Sequence, residues 1–272
     1  MTVTGVERDG LEAQSAARGG AAKRAYVRRI FSEIAPRYDL LNHVLSLNVD
    51  RVWRRQAIAE LAWQRRPAGT YLDLCAGTLD AGASLARQRG FRGLVVGADF
   101  AEPMLRMGAG KAPREALAPV AADAQELPLA TASAAGAIVA FGIRNVADLD
   151  ATLGEVRRVL APGARLVVLE FSTPPSAVAR ALYHAYFRRV LPVVGRLVSG
   201  HPTAYSYLPQ SVAHFPAQDE LAARMARAGF ADVRWRPLTF GIAAIHAGEA
   251  GPSRRRERAP VTGERWPATG PA

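Results

Sequence analysis

The sequence predicts a single α/β domain built on a seven-stranded, mostly parallel sheet with helices on both faces. Two observations lead to this fold class. From Thr70 onward, short apolar runs alternate with helical stretches, which is typical of parallel strands joined by crossover helices. Apolar residues also make up 49% of the 272 residues, so the chain can bury a core of that size.

Strands are predicted where short apolar runs are bounded by turn residues, and helices where apolar residues recur with a period near 3.6. Pro162 and Gly163 supply the turn before the fifth strand, and Gly229 closes the last helix. The predicted strands are 70–75, 93–99, 117–121, 136–141, 165–171, 232–238 and 241–247. The predicted helices are 22–35, 51–65, 80–89, 101–110, 148–160, 177–188, 190–198 and 217–229.

The sequence divides into a folded domain and two polar ends. Residues 1–20 are predicted to form a disordered leader. Residues 250–272 are a basic segment rich in Pro and Gly and are predicted to form a disordered tail. The domain between them, residues 21–249, carries two additions to the sheet. One is an N-terminal helical cap over residues 21–66, and the other is a helical insertion over residues 172–216.

Composition and charge restrict the class of function. The formal net charge is +11, which suits an anionic partner such as nucleic acid, anionic lipid or an anionic substrate. Aromatic residues do not interleave with the basic ones, so no specific nucleic acid is expected. Cys75 is the only cysteine, which excludes an internal disulfide framework and a Cys-based zinc cluster. The sequence carries neither a secretion signal nor a membrane-spanning apolar run, which predicts a cytoplasmic protein and leaves peripheral membrane contact open.

The first predicted strand leads into a turn that contains glycine and begins a helix, with the sequence Tyr-Leu-Asp-Leu-Cys-Ala-Gly-Thr-Leu-Asp over 71–80. Gly77 lets the backbone approach a ligand, and the free N–H groups of the helix start suit a carboxylate. Only Gly77 and Gly82 are glycines in this segment, so a pyrophosphate has no glycine-lined path. The loop therefore favours a nucleotide-like cofactor without phosphates.

Acidic residues end three consecutive predicted strands. Asp73 is placed to hold an ammonium group, directly or through water, and Asp99, 22 residues after Gly77, is placed for ribose hydroxyls. Asp123 and Ala124 follow the third strand, where an adenine amino group would lie. Chance acids at strand ends are the alternative, but three in order at one edge favour S-adenosyl-L-methionine as the cofactor.

Several local signatures resemble the ubiquinone/menaquinone biosynthesis C-methyltransferases, a family of class I enzymes that use S-adenosylmethionine. The resemblance runs from about Tyr26 to Gly248. The similar segments are 31–42 (Phe-Ser-Glu-Ile-Ala-Pro-Arg-Tyr-Asp-Leu-Leu-Asn), 141–146 (Phe-Gly-Ile-Arg-Asn-Val), 170–174 (Glu-Phe-Ser-Thr-Pro), 205–212 (Tyr-Ser-Tyr-Leu-Pro-Gln-Ser-Val) and 238–243 (Leu-Thr-Phe-Gly-Ile-Ala).

The resemblance implies a Rossmann-like fold in which Thr78, Asp99, Asp123 and Ala124 contact the cofactor. It also implies C-methylation of a prenylated quinol ring in menaquinone or ubiquinone biosynthesis, with demethylmenaquinol as the favoured acceptor. The alternatives are a methyltransferase of a soluble aromatic natural product and a non-catalytic protein that binds within a quinone-biosynthesis complex.

Three residues depart from the family pattern. Leu79 stands where the family loop usually has Gly or Ala, and a branched side chain disfavours a positive φ angle. We therefore expect an ordinary backbone at Leu79 or a displaced loop. Ala140 replaces a common serine, and Ala135 replaces the usual acid before the fourth strand.

Methyl transfer to carbon requires an electron-rich ring, so the reduced quinol is the predicted acceptor rather than the quinone. Arg144 and Asn145 follow the fourth strand, next to the expected methyl group. Arg144 is predicted to stabilise a phenolate or to orient a water that takes the proton, since its own pKa is too high for a base; a structural ion pair is the alternative. Asn145 is predicted to bond the ring oxygen. Tyr38 lies on the cap as a third catalytic candidate, with a turn residue as the alternative.

The acceptor pocket is predicted to involve Tyr207, with a packing role as the alternative. The two histidines that flank it, His201 and His214, are candidate bases. His246 lies in the last strand and is expected to be structural. No histidines are spaced for a shared metal, and none is expected. Residues 187–198 interleave apolar residues with Arg, which predicts either docking on an anionic leaflet, where a polyprenyl tail would enter, or a helix packed on the core. A homodimer is left open.

Overall fold

The computed structural model describes residues 20–35, 46, 48–174, 176, 180 and 210–251. The strands in this part of the chain are β1 (Thr70–Leu74), β2 (Leu94–Asp99), β3 (Leu117–Ala121), β4 (Ala134–Ala140), β5 (Leu160–Phe171), β6 (Phe230–Leu238) and β7 (Ala243–Ala250). The α-helices with described bounds are α1 (Gly20–Ile34), α2 (Val49–Glu60), α3 (Asp80–Ala86), α4 (Glu102–Gly108), α5 (Leu149–Val159) and α6 (Gln218–Arg227). Short 3-10 turns cover Trp63–Arg65, Ile143–Asn145 and Thr239–Gly241.

The seven strands form one sheet in the order β3-β2-β1-β4-β5-β7-β6. Strands β1 to β5 are parallel where they pair, and β7 runs antiparallel to both β5 and β6. This arrangement confirms the predicted mostly parallel sheet. The strand order reverses between β1 and β4, and ligands of open α/β sheets bind beyond the carboxyl ends of the strands at such a switch point.

Both faces of the sheet are covered because successive side chains of each strand point to opposite sides. Tyr71, Ile138 and Val167 belong to the core beneath α2 and α3, with Trp53 and Leu85 from those helices. A second core lies on the other face beneath α5 and α6 and contains Leu72, Leu74, Val139, Leu153, Val156 and Met225. The near-continuous apolar strands of the sequence follow from this two-sided burial.

Two predicted boundaries are wrong for local reasons. The fifth strand begins at Leu160, and pairing with β4 resumes at Arg165 after an irregularity that contains Gly163, whose φ is +74°. The predicted turn therefore lies inside β5 as a bulge. The helix predicted over 51–65 ends at Glu60, because Ala62 takes a left-handed conformation before a separate 3-10 turn.

Helix α1 packs beside α4 and the end of β2, with Tyr26, Val27 and Ile30 buried against Phe31 and Phe100. It therefore lies across the carboxyl edge of the sheet. Within the described ranges, no helix is long and apolar enough to span a bilayer. The predicted helices 177–188 and 190–198 and the leader and tail fall almost wholly outside the described residues, so the predicted domain bounds stay predictions.

Candidate active site

The loop between β1 and α3 alternates left-handed and ordinary backbone conformations. Cys75, Gly77 and Leu79 have φ angles of 51°, 51° and 66°. The chain after β4 closes tightly on this loop, because a Cβ atom at Gly142 would lie 2.3 Å from Cβ of Cys75. The loop thus makes three sharp reversals, only one of them at a glycine, and strain of this kind concentrates at functional sites.

The expectation of an ordinary backbone at Leu79 is wrong, because its φ is 66°. The Leu79 side chain is 1% exposed and lies in the core. A Cβ atom at Gly97 would lie 2.3 Å from its Cδ2, and one at Gly108 would lie 2.8 Å from its Cγ. Burying a leucine is worth about 1.5–3 kcal/mol, which offsets a left-handed cost of about 1–2 kcal/mol. Leu79 therefore keeps the loop in place and points into the core rather than into a ligand site.

A cavity of about 50 Å³ lies between this loop, the ends of β2 and β4, and α1. Five of the predicted cofactor and catalytic residues line it: Gly77, Asp99, Asp123, Ala124 and Asn145. Helix α1 adds Arg24, Val27 and Phe31 as a roof, which sequence reasoning missed. The residues predicted from separate strand ends therefore share one cavity at the switch point.

Asp99 ties the loop to the end of β2. Its carboxylate accepts a hydrogen bond from the N–H of Gly77 at 2.9 Å and another from the N–H of Ala101 at 2.8 Å. The residue is 8% exposed, and burial raises the pKa of the carboxyl. The remaining lone pairs of this carboxylate can accept from hydroxyl groups in the cavity.

Asp73 and Thr78 lie one layer beneath the cavity. Asp73 is 1% exposed, and its Oδ2 accepts a hydrogen bond from the N–H of Gly82 at 2.6 Å. Burial raises the pKa of Asp73 to about 7. Thr78 is 3% exposed. Neither residue is among those that line the cavity, so in this structure both support the loop from below.

Helix α1 is held on either side of the cavity by two consecutive basic residues. Arg24 forms an ion pair with Asp123 at 2.8 Å, and Lys23 donates from Nζ to the carbonyl oxygen of Arg144 at 2.8 Å. Burial and the neighbouring Arg144 lower the pKa of Lys23 to about 8. The sequence offered no signal for these contacts, because they join residues about one hundred positions apart.

A second cavity, of about 220 Å³, adjoins the first, and Val146 and Ala147 line both. Arg144 and His214, two of the sequence candidates, lie together in its wall. Arg144 also forms a buried ion pair with Glu170 at 2.6 Å, so the structural ion pair considered as the alternative is present, and the catalytic role of this residue stays a prediction. Nδ1 of His214 lies 2.8 Å from the carbonyl oxygen of Gln210.

The remaining candidates divide into buried and undescribed residues. His246 is 3% exposed in β7, its Nε2 lies 3.0 Å from the carbonyl oxygen of Gln218, and burial lowers its pKa to about 4. This is the structural position expected from the sequence. Tyr38, His201 and Tyr207 lie outside the described residues, as does the segment 187–198.

The two alanine departures differ in position. Ala140 ends β4 near the cofactor cavity, whereas Ala135 lies at the opposite end of that strand. A Cβ atom at Gly69 would lie 2.5 Å from Cβ of Ala135, so the small side chain at 135 fits a close packing contact. The loss of an acid at this position therefore concerns packing far from the cavity.

The sheet order, the antiparallel last strand and an acid-lined cavity at the switch point define a Rossmann-like methyltransferase dependent on S-adenosylmethionine. Solved structures show the same fold. A methyltransferase of Thermotoga maritima, described as a possible histamine N-methyltransferase, has a TM-score of 0.58 at 17% identity and covers 82% of this chain and 98% of its own. A chain from the complex between the Haloferax volcanii Trm112 methyltransferase activator and a putative methyltransferase has a TM-score of 0.56 at 16% identity. The match covers 81% of this chain and 97% of that one.

The chain belongs to the ubiE/COQ5 methyltransferase family, whose model matches residues 20–250. A demethylmenaquinone methyltransferase of Thermus thermophilus is 50% identical over 222 residues, which are 81% of this chain and 99% of the relative. A ubiquinone/menaquinone biosynthesis C-methyltransferase of Geobacter sulfurreducens is 45% identical over 229 residues, 83% of this chain and 88% of the relative. The resemblance inferred from the sequence signatures is thereby confirmed.

Proposed function

We propose that this protein methylates a ring carbon of a prenylated quinol and converts demethylmenaquinol to menaquinol. The observation that carries the proposal is the pair of adjoining cavities, one lined by Asp99, Asp123 and Asn145 and the other by Arg144 and His214. Relatives from Thermus thermophilus and Streptomyces avermitilis, 50% and 44% identical, bear the name demethylmenaquinone methyltransferase, which supports this acceptor.

The residues of the first cavity fit S-adenosyl-L-methionine. The carboxylates of Asp99 and Asp123 provide acceptors for ribose hydroxyls and an adenine amino group, and Phe31, Phe100 and Met104 provide apolar walls for the purine. No run of glycines lines a path for phosphates. When bound, the cofactor supplies an electrophilic methyl group on a sulfonium.

Asn145 carries an unmatched polar atom at this site. Its Oδ1 is buried and has no hydrogen-bond partner among the described residues, although a buried polar atom normally has one. The residue lines the first cavity beside the boundary with the second. We assign Oδ1 as the acceptor for a hydroxyl of the quinol ring, which would orient the ring for in-line attack.

Arg144 is assigned to the charge that develops on the ring oxygen. Its guanidinium favours the phenolate, which makes the neighbouring carbon a nucleophile, and does so best in a site that excludes water. Because Arg stays protonated, it cannot accept the proton that leaves the ring carbon after methylation, and that proton passes to another group. His214, in the same cavity, is the described histidine that can receive it, directly or through a water.

Two alternatives from the sequence receive different support. The non-catalytic alternative is motivated by the departures at Leu79, Ala140 and Ala135, and the position of the Leu79 side chain in the core favours an intact cofactor site. A soluble aromatic acceptor lacks the prenyl tail. Assays that compare acceptors with and without the tail therefore distinguish this alternative from the prenylated quinol.

The test is an anaerobic assay of the purified protein with S-adenosylmethionine and short-chain demethylmenaquinol, with the oxidised quinone and a tail-less naphthalenediol in parallel. We expect a methylated ring carbon, identified by NMR, only from the reduced prenylated acceptor. Asn145→Ala should lower kcat about tenfold, as loss of one hydrogen bond to the ring predicts. Equal rates with the tail-less diol would instead support the soluble aromatic acceptor.

We also propose peripheral contact with the membrane face through residues 187–198, because a polyprenyl tail must leave the bilayer to reach the site. Flotation with vesicles that contain about one third anionic lipid tests this. Binding should weaken when salt is raised, since screening removes the arginine contribution. Recovery of all protein in the unbound fraction at low salt would contradict it.

A further inference from the structure

Glu170, the penultimate residue of β5, is a buried carboxylate that accepts two hydrogen bonds from Arg144. It is 2% exposed. Its Oε1 lies 2.6 Å from Nη1 of Arg144, and its Oε2 accepts the backbone N–H of Arg144 at 3.3 Å. Oε1 also accepts the N–H of Phe171 at 2.8 Å, which fixes the carboxylate against its own strand. One side chain therefore holds both the main chain and the guanidinium of Arg144.

The other contacts of Arg144 complete a rigid setting. The guanidinium lies 5.4 Å from the centre of the Phe171 ring, and Nη1 also donates to the carbonyl oxygen of Phe141. The positive charge of Lys23 stands beside it, bound to the Arg144 carbonyl. Arg144 is buried and Lys23 beside it is partly buried, and Glu170 supplies a negative charge next to these two cations.

Glu170 lines neither cavity, whereas Arg144 lines the second one. An electrostatic contribution to catalysis requires that the charge be held in place before the reaction. A long arginine side chain has many conformations, and a buried carboxylate that accepts from both its guanidinium and its backbone N–H restricts them. Because Glu170 lines neither cavity, we expect it to act on the chemistry through Arg144.

We propose that Glu170 is a positioning residue for methyl transfer, holding the Arg144 guanidinium in the wall of the second cavity, where the acceptor oxygen becomes negative. The inference rests on the proposed function, since it takes Arg144 as the group that faces the acceptor.

The test is steady-state kinetics with short-chain demethylmenaquinol on Glu170→Gln, Glu170→Asp, Arg144→Gln and the double variant. Glu170→Gln should lower kcat about 10- to 100-fold and leave KM for cofactor and acceptor within about twofold, the pattern of an interaction needed only in the transition state. Glu170→Asp, which retains the charge, should recover part of the loss. In the Arg144→Gln background, Glu170→Gln should change kcat by less than about twofold, because the two residues act as one unit.

Glu249→Gln is the matched control, since Glu249 pairs with Arg165 at 2.8 Å near the opposite edge of the sheet. It should lower the melting temperature and leave kcat unchanged. If Glu170→Gln does not fold, the double variant, which removes both charges, and Glu170→Asp still decide the question. Wild-type kcat in Glu170→Gln, or equal losses in both backgrounds, would overturn the positioning role alone. An inactive wild-type protein would overturn the proposed function and this inference together.

Discussion

At the scale of single residues, Leu79 combines an unfavourable backbone with a favourable side-chain position. Its φ of 66° is in the left-handed region, while its side chain fills the space that Gly97 and Gly108 leave open. Packing and backbone preference therefore oppose each other at one residue. Substitutions can separate the two, because alanine removes only the side chain and glycine also removes the backbone cost.

We expect Leu79→Ala to lower the free energy of unfolding by about 2–5 kcal/mol through the cavity it leaves. Leu79→Gly should be the more stable of the two variants by about 1 kcal/mol, because glycine accepts positive φ freely. Urea denaturation measures both. The control is Leu85, fully buried in α3, where Ala should be more stable than Gly. The same order at both positions would contradict the left-handed backbone at Leu79.

Asp99 offers a test of the cofactor site at the same scale. Asp99→Asn keeps the size of the side chain and removes the charge that we propose accepts from ribose hydroxyls. A charged hydrogen bond is worth about 1.5–3 kcal/mol, so the Kd for S-adenosylmethionine should rise about 10- to 100-fold by calorimetry. Glu102→Gln, an exposed acid three positions along the chain, should leave the Kd unchanged. An unchanged Kd in Asp99→Asn would place the ribose elsewhere.

At the scale of elements, α1 is the roof of the cofactor cavity. The cavity volume of about 50 Å³ is well below the roughly 300–1,000 Å³ typical of ligand pockets. The ion pair between Arg24 and Asp123 lies where we propose that adenine binds, yet the two side chains are 54% and 31% exposed and contribute little to stability. Movement of α1 is therefore the simplest route by which the cofactor enters.

We expect Arg24→Ala to speed cofactor association several-fold in stopped-flow fluorescence, because it removes the ion pair that holds α1 to Asp123. Global stability should change by less than about 1 kcal/mol. Arg28→Ala is the control, since Arg28 lies on the exposed face of the same helix. Identical association rates for all three proteins would show that α1 does not limit entry.

At the scale of the whole molecule, buried titratable groups set how stability depends on pH. The pKa of Asp73 is raised from 3.8 to about 7, so the folded state retains a proton that the unfolded state has lost, and stability falls as pH rises between these values. The pKa of His246 is lowered from 6.5 to about 4, so stability rises with pH across that interval. The two slopes oppose each other over most of the same range.

Asp73→Asn should remove the part of the falling slope that Asp73 contributes and leave the rising slope of His246. Relative to wild type, we expect the variant to gain stability as pH increases from 4 to 7, by up to a few kcal/mol at about 1.4 kcal/mol per pKa unit. Urea denaturation at several pH values measures the difference. Asp150→Asn, at an exposed position, should follow the wild-type curve. Parallel curves for wild type and Asp73→Asn would contradict the raised pKa.

The sequence by itself determined the sheet, the family and the edge at which the cofactor site lies. Because both faces of the sheet are buried, the strands appear in the sequence as apolar runs at regular intervals. Local signatures such as 141–146 are collinear with those of the family. The acids at strand ends, Asp99 and Asp123, could be predicted to lie close together because parallel strands bring their carboxyl ends to one edge of the sheet.

The tertiary structure alone decided which groups hold these residues in place. The left-handed Leu79 depends on space left by Gly97 and Gly108, which no local propensity encodes. The pairing of Arg144 with Glu170 and of Arg24 with Asp123 joins positions 26 and 99 residues apart, on elements whose contact follows from the packing of the whole sheet. Propensity and periodicity act over a few residues, whereas burial and charge pairing are settled only when distant elements meet.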